Sequence, residues 1–226
     1  MKIVALTGAG ISAESGIKTF RDCKDGLWNN YKIEEVASPV AWQNTPQLVT
    51  DFYNERRKDV QKASPNNAHY LLAKCNIPII TQNVDNLHER AGSKDVLHLH
   101  GELLKARSCI DYDYVIDVNS DMDYPSYNER GELMRPHIVW FGEDVPLYPK
   151  AEQIVREADV LLVVGTSLNV YPAAGLIWHL KDHATVYCID PSGVNSTFKN
   201  LNIVEVRESA TVGVEKVLSI LLDQTY

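Results

Sequence analysis

Three clusters in this chain carry the residue types that chemistry needs: a glycine turn, a run of amides with a carboxylate, and a histidine beside a glycine. In the first, Ile3-Val4-Ala5 reads as a buried strand running into Leu6-Thr7-Gly8-Ala9-Gly10-Ile11-Ser12. Glycines two apart permit a tight turn with outward backbone N–H groups, and Ser12 is expected to cap a helix starting near Ala13. Strand, turn and helix N-terminus together favour phosphate, through unpaired N–H groups and the helix dipole. Gly8-x-Gly10-x-x-Ala13 fits the loose dinucleotide fingerprint, and equally a strand-to-helix turn that holds nothing.

The second cluster, Gln82-Asn83-Val84-Asp85-Asn86, follows the apolar run Ile77-Pro78-Ile79-Ile80-Thr81. Amides and a carboxylate beyond a strand's C-terminal end suit an amide ligand and ribose hydroxyls. An Asx turn capping the next helix explains Asp85 or Asn86 as well, though less readily the whole cluster. In the third, Val96-Leu97-His98-Leu99-His100-Gly101 alternates as a strand does and puts His98 and His100 on one face. His100 stands at the end, where an imidazole titrating near pH 6.5 is the natural base. The alternative is a pair of structural histidines; Gly101 and the polar cluster upstream favour function.

These residues need a frame. A dehydrogenase would show a second strand soon after the first, with an acidic residue about 20 positions on to hold the ribose. Here no second strand is expected before residue 77, and Phe20 with Arg21 is placed to cover the nicotinamide end of a dinucleotide. Residues 31–75 read as a helical insertion punctuated by Ser38-Pro39 and Ser64-Pro65. Within it Tyr53 and Arg56 are i and i+3 and share a face. A phenol and a guanidinium there can hold a carboxylate, but the pattern alone is better read as one buried tyrosine and a solvated arginine. Residues 103–135 are acidic and tyrosine-rich, as a small inserted module would be. Arg135 to Glu143 reads as an exposed aromatic segment whose backbone can pair with an extended peptide, or as an edge strand packed on the core.

The last third alternates regularly. A helix over Ala151–Ala158 leads to a strand over Asp159–Val164, ending in Gly165-Thr166-Ser167. Pro172-Ala173-Ala174 starts a helix, and the strand Thr185–Ile189 ends at Asp190, well placed to accept from a ribose hydroxyl. A strand over Asn202–Val206 and a helix over Thr211–Leu222 close the chain. The expected fold is α/β, a doubly wound Rossmann-like parallel sheet. One catalytic domain over 1–226 carries insertions at 31–75 and 103–135.

Composition narrows the class. A net charge of −8 and a pI near 5.3 argue against nucleic-acid binding. The four cysteines form no C-x-x-C pair and read as reduced thiols. The longest apolar run, Val160–Val164, is far too short to span a membrane, and the N-terminus opens straight into a strand with no secretory signal expected. A cytoplasmic monomer is the expectation.

Together these motifs resemble the sirtuin family of NAD-dependent protein deacylases over nearly the whole chain. The resemblance rests on Gly8–Ile17 with Phe20-Arg21, on Thr81–Asp85 with Leu87-His88, and on His100-Gly101, Val139–Glu143 and Gly165-Thr166-Ser167. It implies that Ala9, Gly10 and Arg21 contact the NAD phosphates, that Gly8 and Ser12 belong to the same cofactor site, and that Phe20 shields the reacting sugar. Gln82, Asn83, Val84 and Asp85 would hold the nicotinamide and its ribose. Gly165, Thr166, Ser167, Asp190 and, more loosely, Ala210 would take the adenosine side. Val139, Phe141 and Gly142 would line the acyl-lysine tunnel, and His100 would be the general base. NAD would be consumed, giving nicotinamide, free lysine and O-acyl-ADP-ribose. Tyr53 and Arg56 match the Tyr-x-x-Arg pair of the class that removes succinyl and malonyl groups.

The chain departs from the family pattern in three places. Lys18 replaces a usual proline, Asp190 a usual asparagine, and the four zinc cysteines are missing, with only Cys109 in the module. No zinc is expected, since a structural site wants about four ligands; Tyr112, Tyr114, Tyr124 and Tyr127 are expected to pack the module instead. Two other activities would use the same residues. One is an NAD glycohydrolase or ADP-ribosyltransferase; the other is a non-catalytic NAD or ADP-ribose binding module.

Overall fold

A computed structural model describes residues 1–18, 31–193 and 202–223. Phe20 and Arg21 therefore lie outside the described residues. Six strands form one parallel sheet: β1 (Ile3–Thr7), β2 (Ile79–Thr81), β3 (Val96–His98), β7 (Val160–Val164), β8 (Thr185–Ile189) and β9 (Ile203–Val206). Their order is β3-β2-β1-β7-β8-β9. Val-Leu-Leu-Val-Val of β7 is buried throughout, as a parallel strand covered on both faces must be.

Alternate residues of the strands feed two cores. Val4, Leu6, Leu161 and Val163 pack under α7 (Tyr148–Arg156) and the 3₁₀ segment Ala173–His179. Ala5, Leu162 and Val164 pack under α5 (Asn67–Lys74) and α8 (Ala210–Asp223). The register places Thr7 beside Thr81 and Val164, Thr81 beside His98, and Val164 beside Ile189. The C-terminal ends of five strands therefore line one edge. The chain leaves β1 towards β2 and β3, then returns to β7 on the other side of β1. That reversal is the switch point where open α/β sheets bind ligands.

The helical insertion holds α2 (Ile33–Val36), α3 (Pro39–Asn44) and α4 (Pro46–Lys62), followed by α5. Ser38 caps α3 by accepting from the Ala41 N–H at 3.0 Å, with Pro39 at the first helical position, as the sequence suggests. Asn66, one residue past Pro65, caps α5 through the Ala68 N–H.

The tyrosine-rich region belongs to a three-stranded antiparallel sheet of order β5-β4-β6. Its strands are β4 (Gly101–Ser108), β5 (Val115–Asp117) and β6 (Met134–Ile138). Its small core is Ala106, Met122 and Met134, with Tyr114 and Val118 alongside. The expectation of four packing tyrosines needs correction. Tyr127 is 61% exposed, Tyr112 lies under the Arg107 guanidinium, and Tyr124 meets Trp42 edge-on at 5.5 Å. Of the four rings Tyr114 does pack against the module's core; the strand ladder and the two methionines supply the packing assigned to the others. Asn54 of α4 ties the module down by bonding both the N–H and the C=O of Met122, each at 2.9 Å.

Cys109 is exposed. Among the described residues no group of three or more His, Cys, Asp or Glu is placed to hold a metal, and no helix is long and apolar enough to cross a membrane. Elemental analysis of the purified protein is therefore expected to find zinc far below one equivalent, and a chelator should leave its Tm unchanged.

Candidate functional site

The crevice is built first by glycines. Gly165 has φ +65°, and a Cβ there would meet the Ile11 nitrogen at 2.2 Å. A Cβ on Gly10 would meet Gly165 Cα at 2.6 Å, and the Gly10 N–H donates to the Gly165 carbonyl at 2.8 Å. The loops after β1 and β7 thus touch backbone to backbone. The helix α1 (Ala9–Ala13) starts at Ala9, with Gly8 as its N-cap. Ser12 is consequently not a cap: it lies inside α1, fully buried, and its hydroxyl serves the crevice.

That hydroxyl donates to Asp85 Oδ2 at 3.0 Å and accepts from Asn83 Nδ2 at 3.1 Å. Asn83 Nδ2 also reaches the Gly8 carbonyl, and the Asn83 N–H donates to Thr81 Oγ1. Asp85 Oδ1 accepts the Leu87 N–H, so the Asx-turn reading holds for Asp85 alongside its place in the cluster. Burial pushes the Asp85 pKa up against these bonds. Gln82 spans towards Thr166 at 3.4 Å, which joins the amide cluster to the loop after β7.

The two histidines separate into different roles. β3 ends at His98, and Leu99-His100 form a turn before β4. His98 is buried with Asn83 O on one ring nitrogen and the Glu89 carboxylate on the other. Both partners are acceptors, so both ring nitrogens donate and the ring has a structural job; burial opposes its charge, but the Glu89 bond outweighs that and raises its pKa. His100 Nδ1 donates to the Gln82 carbonyl at 3.1 Å. The acceptor fixes the tautomer and leaves Nε2 with its lone pair. Burial lowers the His100 pKa below its ordinary value, so the ring is neutral and basic at pH 7.

Val139 to Gly142 continues from β6 past this histidine, with the Val139 N–H on the His100 carbonyl at 2.9 Å. The segment is less exposed than its sequence suggests. Trp140 is 2% exposed because Arg135, Tyr53 and Trp42 enclose it, whereas Phe141 is 52% exposed. Gly142 takes φ +91°. Tyr53 is buried in the same apolar cluster as Trp140 and Ile138, with Val84 packed against it, and burial raises its pKa. It is therefore a protonated hydrogen-bond donor. Half-buried Arg56 lies one turn along α4, its guanidinium 5.8 Å from the Phe52 ring.

At the other end of the crevice, Thr166 Oγ1 accepts the Leu168 N–H and Ser167 Oγ accepts from Asn169. Asp190 is buried beyond β8 and accepts the Ser192 N–H. Ala210, also buried, opens α8. Glu14, which sequence reasoning passed over, caps that helix by accepting from the Thr211 N–H, Thr211 Oγ1 and Ser209 Oγ. Only its place just after the glycine turn could have hinted at this.

Sequence reading also missed a buried pair beneath the crevice. His88 Nε2 meets Thr7 Oγ1 at 3.0 Å, and Thr7 Oγ1 donates to Thr81 Oγ1 at 2.8 Å. His88 must then donate, which leaves its Nδ1 bare. His69 Nδ1 accepts the Asn66 N–H, which leaves a proton on its Nε2. Among the described residues these two remaining atoms, a donor and an acceptor, have no hydrogen-bond partner; they are buried on rings 4.8 Å apart. His88 sits against the floor formed by Thr7 and Thr81, and His69 meets the His88 ring edge-on.

The donor set fits a dinucleotide. Amide, hydroxyl and carboxylate groups line the switch point, and a carboxylate stands beyond β8 where a ribose diol wants an acceptor. Fold and site together define an α/β protein of the dinucleotide-binding class. Residues 8–172 match the Sir2 family. An NAD-dependent protein deacylase of Helicobacter pylori (strain ATCC 700392 / 26695) is 48% identical over 225 residues, covering 98% of this chain and 97% of that one. Another, of Aggregatibacter actinomycetemcomitans, is 52% identical over 193 residues, covering 84% and 92%. A solved Sir2 homologue in complex with NAD has a TM-score of 0.87 at 39% identity, covering 99% of this chain and 90% of its own. The chain belongs to the Sir2 family.

The histidine pair makes a pH prediction. Burial pushes His69 down to about 4 and His88 well below its ordinary value. The unfolded chain, with histidines near 6.5, binds more protons in this range, so stability falls as the medium is acidified. Stability is fully present above pH 6.5 and is lost as pH drops towards 4, on the order of 3 kcal/mol for His69 alone. Thermal melts at pH 7.0 and 5.0 should show a lower Tm at the acid value, and His69→Gln should shrink that gap.

Proposed function

We propose that this chain is an NAD-dependent lysine deacylase that favours acidic acyl groups, succinyl and malonyl, over acetyl. Family membership and the near full-length match to NAD-dependent protein deacylases support the coarser part of this reading. The finer part rests on one observation. A protonated, buried Tyr53 and the neighbouring Arg56 stand at the apolar cluster that backs the Val139–Gly142 segment. An apolar pocket floor with a phenol and a guanidinium suits an aliphatic chain ending in a carboxylate.

NAD, when bound, supplies the reactive ribose carbon and nicotinamide as the leaving group. The protein's part is positioning and proton movement. Ser12, Asn83 and Asp85 form a fixed hydrogen-bonding wall, already crosslinked to one another, that meets an amide or hydroxyl without reorganising. His100, its Nδ1 committed to Gln82, takes a proton at Nε2 from a ribose hydroxyl. Val139 and Gly142, on backbone next to His100, are suited to pair with an extended substrate. Gly165, Thr166, Ser167 and Asp190 hold the adenosine half. Phe20 and Arg21 keep the roles that the family resemblance gives them.

The acyl preference is tested by Arg56→Met. A charged hydrogen bond contributes roughly 1.5–3 kcal/mol, so the ratio of kcat/KM for succinyl over acetyl peptide should fall about ten- to a hundredfold. An unmoved ratio removes Arg56 as the carboxylate ligand. His100→Ala should lower kcat by at least ~100-fold, the usual scale of a general base. Nicotinamide release measured with and without a succinyl-lysine peptide separates this reading from the others. A glycohydrolase releases nicotinamide without peptide, and a binding module releases none.

A further inference from the structure

The acidic-acyl reading needs the Tyr53 hydroxyl to point its proton at the ligand, and a phenol has two in-plane settings for that proton. Tyr53 is 4% exposed, so bulk water does not choose between them. Its oxygen accepts the indole N–H of Trp140 at 2.9 Å. An indole N–H only donates, so the phenol proton is driven to the opposite in-plane direction. Among the described residues no acceptor is bonded to it there. A buried donor without an acceptor is costly and wants a partner.

Trp140 is held rigidly enough to impose this choice. Its backbone N–H donates to Glu143 Oε2 at 2.8 Å. The Arg135 guanidinium covers its face, with Cζ 3.3 Å from the ring centroid. Arg135 is itself clamped by both Glu143 oxygens, at 2.6 and 3.1 Å, and by the Ile138 carbonyl at 3.0 Å. A cation over the indole also draws density from the ring and sharpens its N–H as a donor.

We infer that Trp140 is a positioning residue for acyl selection: its indole N–H turns the Tyr53 hydroxyl proton towards the terminal carboxylate of the acyl group. This rests on the acidic-acyl reading. An acetyl group ends in a methyl and offers nothing for that proton, so the effect falls on the ratio between the two substrates.

The test is a cycle on the full-length protein. kcat and KM are measured on succinyl- and acetyl-lysine peptides for wild type, Tyr53→Phe, Trp140→Phe and the double variant. A further protein carries a benzothiophene in place of the Trp140 indole, which keeps the shape and removes only the N–H. Tyr53→Phe, Trp140→Phe and the isostere are each expected to lower the succinyl-to-acetyl ratio of kcat/KM about fivefold, the scale of one hydrogen bond. The loss should appear in the KM for succinyl peptide, and the double variant should lose no more than Tyr53→Phe alone. If the isostere keeps the wild-type ratio while Tyr53→Phe lowers it, Trp140 has no such role. If the two losses multiply in the double variant, the inference fails likewise. If Tyr53→Phe itself leaves the ratio unmoved, the acidic-acyl reading falls and takes this inference with it.

Discussion

The contact between Gly10 and Gly165 is the constraint on which the crevice depends. Two loops from adjacent strands meet there with no side chain between them, joined by a 2.8 Å backbone hydrogen bond. No Cβ fits on either residue without moving backbone. Because this meeting point lies at the switch between β1 and β7, it sets the separation of the two loops that flank the dinucleotide. Ser12 follows two residues later in α1 and is thereby brought to Asn83 and Asp85. A fingerprint usually explained by phosphate geometry is here first a packing requirement between two loops.

The polar floor of the crevice shows a second constraint. Thr7, Thr81, Asn83, His88 and His98 lie under 9% exposed, and their polar atoms are largely spoken for by one another. Buried polar groups stabilise a fold only when paired. This arrangement makes the site rigid before any ligand arrives, which is what preorganised hydrogen bonding requires. It also explains why two histidines of similar sequence context differ. His98 faces a carboxylate and becomes part of the scaffold, whereas His100 faces a carbonyl and keeps a basic nitrogen.

Much of this was legible in the sequence. Strand and helix positions in the last third follow from apolar runs of five residues bounded by polar turns, as at Val160–Val164 and Thr185–Ile189. Gln82 to Asp85 and His100 stand together because a parallel sheet gathers its strand ends. What the sequence hid is long-range. Whether Ser12 caps a helix or points into a crevice depends on where the chain first turns, and Gly8 takes the cap. Trp140 reads as exposed from its neighbours, and the distant Tyr53 and Trp42, with Arg135, bury it. His69 and His88 are nineteen positions apart on separate helices, with no periodicity to announce their meeting. The small module shows the same limit: its tyrosines are conspicuous, but its core is two methionines and an alanine.

Glu14 has a consequence for the order in which the molecule can assemble. It ties the first helix to the start of the last one, across 197 residues of sequence. β1 is likewise flanked by β7, which is made more than 150 residues later. During synthesis the glycine turn emerges early but lacks both its neighbour strand and the helix it anchors. Contacts of such long range slow folding and leave early segments waiting. The nucleotide crevice, which joins the glycine turn to residues from Gln82 to Asp190, is therefore among the last features of the chain to take shape.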